Sequence, residues 1–67
     1  MRNKETFLSA ARVGYATTVA TKEGQVVRGY LMPTSTEGDF KLIKGEEAVA
    51  LNVKDVECWA QHKYRRY

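Results

Sequence analysis

Sixty-seven residues make one small domain, 1–67, and at that size folding buries only about 60% of the surface the unfolded chain exposes, so the core must be efficient or the surface must self-associate. With 43% hydrophobic and 28% charged residues the composition is globular, and no apolar run approaches the roughly 20 residues of a membrane-spanning helix. The single cysteine, Cys58, excludes an intrachain disulfide, the single histidine, His62, leaves too few ligands for a zinc site without carboxylates, and a net charge of +3 is low for a dedicated nucleic-acid binder.

The charge is unevenly placed. Residues 1–30 carry five basic and two acidic side chains, residues 31–61 carry three basic and six acidic, and the chain ends on Lys63, Arg65 and Arg66. Phe7-Leu8 runs straight into Ser9 and Arg12, which is not a signal-peptide core, and a small secreted domain is usually cross-linked. A cytoplasmic setting without membrane attachment is expected.

In chain order, residues 4–13 read as a short helix. Asn3 suits its N-cap, Glu5 its first turn and Gly14 its end, while Phe7, Ala10 and Ala11 share a face that must dock on something. Tyr15–Thr21 and Gln25–Met32 are rich in the Thr, Val and Tyr of strands. The intervening Lys22-Glu23-Gly24 is a three-residue hairpin loop with glycine where a left-handed residue is needed. That turn sets Val19 opposite Val27, Thr17 opposite Gly29 and Tyr15 opposite Leu31 on the core face, leaving Thr18, Arg28 and Tyr30 on the other. Gly29, inside a strand, leaves room for a sharp bend.

Pro33 ends the second strand and 34–38 is a polar loop. Asp39–Lys44 makes a third strand with Phe40 and Leu42 on one side. Glu47–Val53 makes a fourth, with Val49, Leu51 and Val53 inward. Two readings stand for the rest. Either Lys54-Asp55 is a tight turn into a fifth strand at Val56–Ala60, or Asn52 caps a helix to about Arg66 with its acidic and basic ends matched to the dipole. The expected class is therefore mainly β (α+β): an N-terminal helix at 4–13, then a four- to five-stranded antiparallel sheet closing as a small barrel over 15–60, then a basic-aromatic tail at 61–67.

The stretch Thr18-Val19-Ala20-Thr21-Lys22-Glu23-Gly24-Gln25-Val26-Val27-Arg28-Gly29-Tyr30-Leu31 resembles the first two strands of Sm-like and Src-homology-3-like small barrels. There, alternating apolar residues lead to an acidic-Gly turn and then an apolar-x-Gly-x-Leu run. Leu51-Asn52-Val53-Lys54-Asp55-Val56-Glu57-Cys58-Trp59 is similar to their closing segment, a strand that passes one short turn into the last strand. The bacterial Rho-inhibitor family shows a similar rhythm after a leading helix. The likeness covers roughly residues 4–60. It does not extend to RNA-gripping residues, because 32–39 lacks the Asp and Asn pair of Sm proteins and Ile43-Lys44-Gly45, which looks like their second motif, comes too early.

No catalytic constellation, metal site or cofactor motif is present. Cys58 and His62 are neighbours only on a helix; on a strand they lie about 13 Å apart. The glycines match no phosphate-cradling or dinucleotide loop. Glu37, Asp39, Glu46 and Glu47 flank turns, as a solvated rim or as an acidic patch for a basic partner. His62-Lys63-Tyr64-Arg65-Arg66-Tyr67 combines phosphate-binding cations with rings that stack on unpaired bases. Arg28 and Tyr30 join it if the tail crosses the hairpin's outer face. Trp59 is either an anchor for a protein partner or a core residue closing the barrel. These residues imply a non-enzymatic binding protein. Its partner would be RNA, single-stranded DNA or a nucleic-acid-handling complex, contacted by Arg28, Tyr30, Lys63, Tyr64, Arg65, Arg66 and Tyr67. The alternative is an inhibitor or adaptor acting on a larger enzyme through Trp59 and the acidic turns. Self-association through sheet edges is a third course.

Overall fold

A computed structural model describes the backbone of residues 1–66 and the side chains of residues 1–62. The strands are β1 (Arg2–Asn3), β2 (Tyr15–Thr21), β3 (Val26–Pro33), β4 (Asp39–Lys44), β5 (Glu47–Asn52) and β6 (Val56–Arg66), with one helix, α1 (Phe7–Ala10). They form one antiparallel sheet in the order β1-β6-β2-β3-β4-β5. The class is thus mainly β with a short N-terminal helix. Of the two readings of the C-terminal third the strand is found, and it runs on to Arg66, into the residues expected to form a separate tail.

The hairpin of β2 and β3 has the register its turn dictates, with Val19 opposite Val27 and Thr17 opposite Gly29. Thr21 closes the loop, donating its N–H to the Gln25 carbonyl and accepting Gly24 N–H on its own carbonyl, while Gly24 takes φ +90°. Gly29 is where β3 crowds β4: a Cβ there would lie 2.9 Å from backbone atoms of Leu42 and Ile43. A close approach between strands excludes any side chain at this point.

The connection from β5 to β6 determines the shape. These strands are consecutive in sequence, yet β2, β3 and β4 lie between them in the sheet. In a flat sheet that separation is about 19 Å at ~4.8 Å per strand. A single 3-10 turn, Val53–Asp55, makes the link, and it rises only about 6 Å. The sheet must therefore curl strongly. The turn is fastened on both sides, by Val53 N–H to the Gly38 carbonyl (2.9 Å) and by Lys22 N–H to the Asp55 carbonyl (3.0 Å). Among the described residues no ladder joins β5 to β1 or β6, so the sheet is curled but open.

Asn52 does cap, as one of the two readings required, but it caps this one turn. Its side chain accepts from Lys54 N–H (2.9 Å), and Asp55 Oδ2 accepts from Asn52 N–H (3.3 Å). The β-branched Val56 then leaves in extended conformation (φ −80°, ψ 123°).

The core inside the curl is Phe7, Val19, Leu31, Phe40, Leu42, Val56 and Trp59. Its centre is aromatic. Phe7 lies 4.8 Å from Phe40 and 5.5 Å edge-on from Trp59, centroid to centroid, within the range where ring pairs add to area burial. Burying a side chain such as Phe7 contributes about 1.5–3 kcal/mol. Val49 departs from the expected inward pattern. It faces Leu42 across the ladder but is 40% exposed, because among the described residues β5 is the last strand of the sheet.

The N-terminal helix is shorter than 4–13. A 3-10 turn at Lys4–Thr6 leads into α1, and Ala11 is already extended. The physical reason lies 49 residues away, in Gln61, whose side chain holds Arg12 by both its backbone groups. Phe7 still anchors the segment as its spacing requires, with Ala10 and Ala11 packed against the core.

Candidate functional site

The outer face of the sheet carries Arg28 and Tyr30 and, across β2, His62 at the start of the basic-aromatic segment. Thr18 on β2 pairs with Arg28 on β3 and, on its other side, with Ala60 on β6. Cross-strand partners point to the same side, so Ala60, Thr18 and Arg28 form one row. In the next row Ala16 pairs with Tyr30. The outward side chains of β2 are the small Ala16, Thr18 and Ala20, and their β6 partners Ala60 and Cys58 are small too, so Arg28 on β3 and His62 on β6 border a low floor. The result is a depression of about 330 Å³ lined by Ala16, Thr17, Thr18, Arg28, Gly29 and His62. Arg28 and His62 are exposed and Tyr30 is half-buried.

Beyond Gln61 the ladder between β2 and β6 is irregular. Thr17 pairs with Gln61 and Tyr15 with Arg66, so 62–65 stand opposite Ala16 alone. The backbone of the basic-aromatic segment thereby runs along the β2 side of the depression, two strands from Arg28. The side chains of Lys63, Tyr64, Arg65 and Arg66, and Tyr67 as a whole, lie outside the described residues.

Trp59 is not part of this surface. It is 0% exposed, and its Nε1–H donates to the Asn3 carbonyl (3.0 Å) and Thr6 Oγ1 (3.1 Å). The Arg2 guanidinium sits 4.9 Å from its ring centroid, covering it from outside. Of its two expected roles, core residue and partner anchor, burial gives it the first.

The acidic turn residues also separate. Asp39 is structural, its Oδ1 accepting from Asn52 Nδ2 at 2.7 Å, whereas Glu37, Glu46 and Glu47 are exposed. Cys58 and His62 stand on one strand, about 13 Å apart by strand geometry, and Cys58 Sγ instead touches Met1 Sδ at 3.7 Å. Among the described residues no group of three or more His, Cys, Asp or Glu is placed to hold a metal ion. Among the same residues no helix is long and apolar enough to cross a membrane.

Sequence reasoning missed Gln61. Its Nε2 donates to the Arg12 carbonyl (2.8 Å) and Thr17 Oγ1 (3.0 Å), and its Oε1 accepts from Arg12 N–H (3.0 Å). It thus fixes the stretch of β6 just before His62. It also missed an apolar groove at the other end, lined in part by Phe7, Leu8, Val13, Met32, Pro33 and Phe40, beside which Leu8 (75%) and Val13 (58%) are exposed.

No protein-family model, curated protein or solved structure matches this chain.

Proposed function

We propose that this chain is a small non-enzymatic regulator that binds single-stranded nucleic acid, or a complex handling it, across the outer face of β3, β2 and β6. The observation that carries the reading is the strand order. It sets Arg28 and Tyr30 on one side of a floor of small residues and His62 on the other, and the reading gives the remaining contacts to Lys63, Tyr64, Arg65, Arg66 and Tyr67. Guanidinium and ammonium groups meet phosphates, tyrosine rings stack on unpaired bases, and a low floor between them accepts a base without a clash. The curled sheet, the close approach of β3 to β4 at Gly29 and the single turn between the last two strands support a small barrel of the Sm-like and Src-homology-3-like kind. The working place of such a regulator is the cytoplasm.

The test is fluorescence anisotropy of short labelled single-stranded RNA and DNA at two salt concentrations. Binding at micromolar protein that weakens steeply with salt is expected, because counterion release drives phosphate contacts. Absence of binding at low salt would reject the reading.

A second reading, an inhibitor or adaptor on a larger protein, draws support from the exposed Leu8 and Val13 beside their apolar groove. In that version those residues, not Trp59, make the contact. A pull-down with one stoichiometric partner, lost on Leu8→Asp and insensitive to Arg28→Ala, distinguishes the two.

A further inference from the structure

His62 is the one histidine of the chain, and its strand brings it to the rim of the outer-face depression. Arg28 lines the same depression from β3, with the floor of β2 between them. Two strand spacings, about 10 Å, separate β3 from β6. The floor carries nothing larger than threonine, and the guanidinium and the imidazole stand exposed at its two sides.

The charges around His62 are of one sign. The outward residues of β2, Ala16, Thr18 and Ala20, carry none, and β3 contributes Arg28 and the phenol of Tyr30. The segment that Gln61 fastens to β6 adds Arg12, which is exposed. Lys4 and Glu5 belong to the turn whose Thr6 docks on Trp59, on the core side of the strand. On β6 itself Glu57 and the Cys58 thiol lie five and four residues back, roughly 13 Å away or more, and Lys63, Arg65 and Arg66 follow. Among the described residues no carboxylate lines the depression, so none competes there with an incoming anion.

Imidazole changes charge within the physiological range, and only its charged form offers a phosphate a charge-assisted donor. A ligand that prefers the protonated form of a group takes up a proton when it binds. Granted the outer face as the single-strand surface, on which this rests, we infer that Arg28 and His62 close from both sides on one backbone phosphate of the bound strand, and that binding draws a proton onto His62. The sign follows from the charge of the ligand. Affinity is greatest below the imidazole range, where His62 is already charged, and falls as the pH rises through it. Arg28 keeps its charge throughout and supplies the contact that does not titrate.

The test is fluorescence anisotropy of a thymidine-only single strand, with a pH-insensitive dye and no terminal phosphate, against the full chain at fixed low salt. Thymine and the phosphodiester keep one charge state between about pH 5.5 and about pH 8, where imidazole titrates, so a change over that range belongs to the protein. Wild-type binding is expected to be about five- to tenfold tighter at the acid end, the share of one charge-assisted contact. His62→Gln, neutral at every pH, should bind throughout as the wild type does at the alkaline end. His62→Lys, charged at every pH, should bind throughout as the wild type does at the acid end. His62 is exposed, and circular dichroism checks that both variants keep the fold. Salt-sensitive binding that is flat in pH would overturn the inference and leave the single-strand surface standing. A pH dependence that survives in His62→Gln would overturn it in favour of another titrating group. Absence of binding at every pH would reject the surface itself, and the clamp with it.

Discussion

The side-chain amide of Gln61 engages Arg12 as a neighbouring strand would, taking its N–H at 3.0 Å and its carbonyl at 2.8 Å. A residue on the last strand thus straightens a segment that local sequence would make helical, and the same amide reaches Thr17 Oγ1 beneath it. Gln61→Leu keeps the bulk and removes three hydrogen bonds. The expected loss is about 1–2 kcal/mol, since water reaches part of the vacated groups, and roughly 5–10 °C in Tm for a domain of this size. Thermal denaturation followed by circular dichroism measures it; an unchanged Tm would show that the clamp contributes nothing.

Gly29 and Gly24 make a controlled pair. A Cβ at Gly29 meets the backbone of Leu42 and Ile43 at 2.9 Å, while one at Gly24 has nothing within 4 Å. Gly29→Ala therefore forces β3 and β4 apart and is expected to cost about 2 kcal/mol or more. Gly24→Asn keeps a residue that tolerates positive φ and should cost less than about 1 kcal/mol. Urea denaturation of the two variants reads the difference directly, and equal costs would mean that the strands can separate freely at Gly29.

What was legible in the sequence follows the range of the interactions involved. The hairpin register and the limits of β4 are set by residues within a turn's reach, by Gly24 and by the alternation of Phe40 and Leu42, and both are found as read. The extent of α1 depends on Gln61, 49 positions from Arg12, and no local pattern marks a glutamine as a clamp. Val49 reads as inward because it alternates correctly; its exposure comes from β5 being an edge, a property of strand order. The outer-face pairing of Arg28 with the β6 side was legible only as a condition on where the C-terminal segment would run.

Trp59 gives a direct optical check on the core. It is the only tryptophan, and its indole is fully buried with both a carbonyl and a hydroxyl accepting from Nε1. Its emission should be blue-shifted and protected from iodide, becoming quenchable on unfolding. Trp59→Phe removes the N–H donor and leaves a cavity, with an expected cost of about 2–4 kcal/mol. Emission at the wavelength of exposed indole in the native protein would contradict the core arrangement.

Arg28 tests the proposed surface without disturbing the fold, because its side chain is exposed and its cross-strand partner is Thr18. If its guanidinium holds one phosphate of a bound single strand, Arg28→Ala should weaken binding across all sequences. It should also reduce the slope of log affinity against log salt by about 0.7, the share of one phosphate contact on a single strand. Lys54→Ala, on the turn between β5 and β6, should leave both affinity and slope unchanged. Equal losses from the two substitutions would point to diffuse attraction by net charge. A loss from Arg28 alone, with the smaller slope, would assign the contact to the depression between β3 and β6.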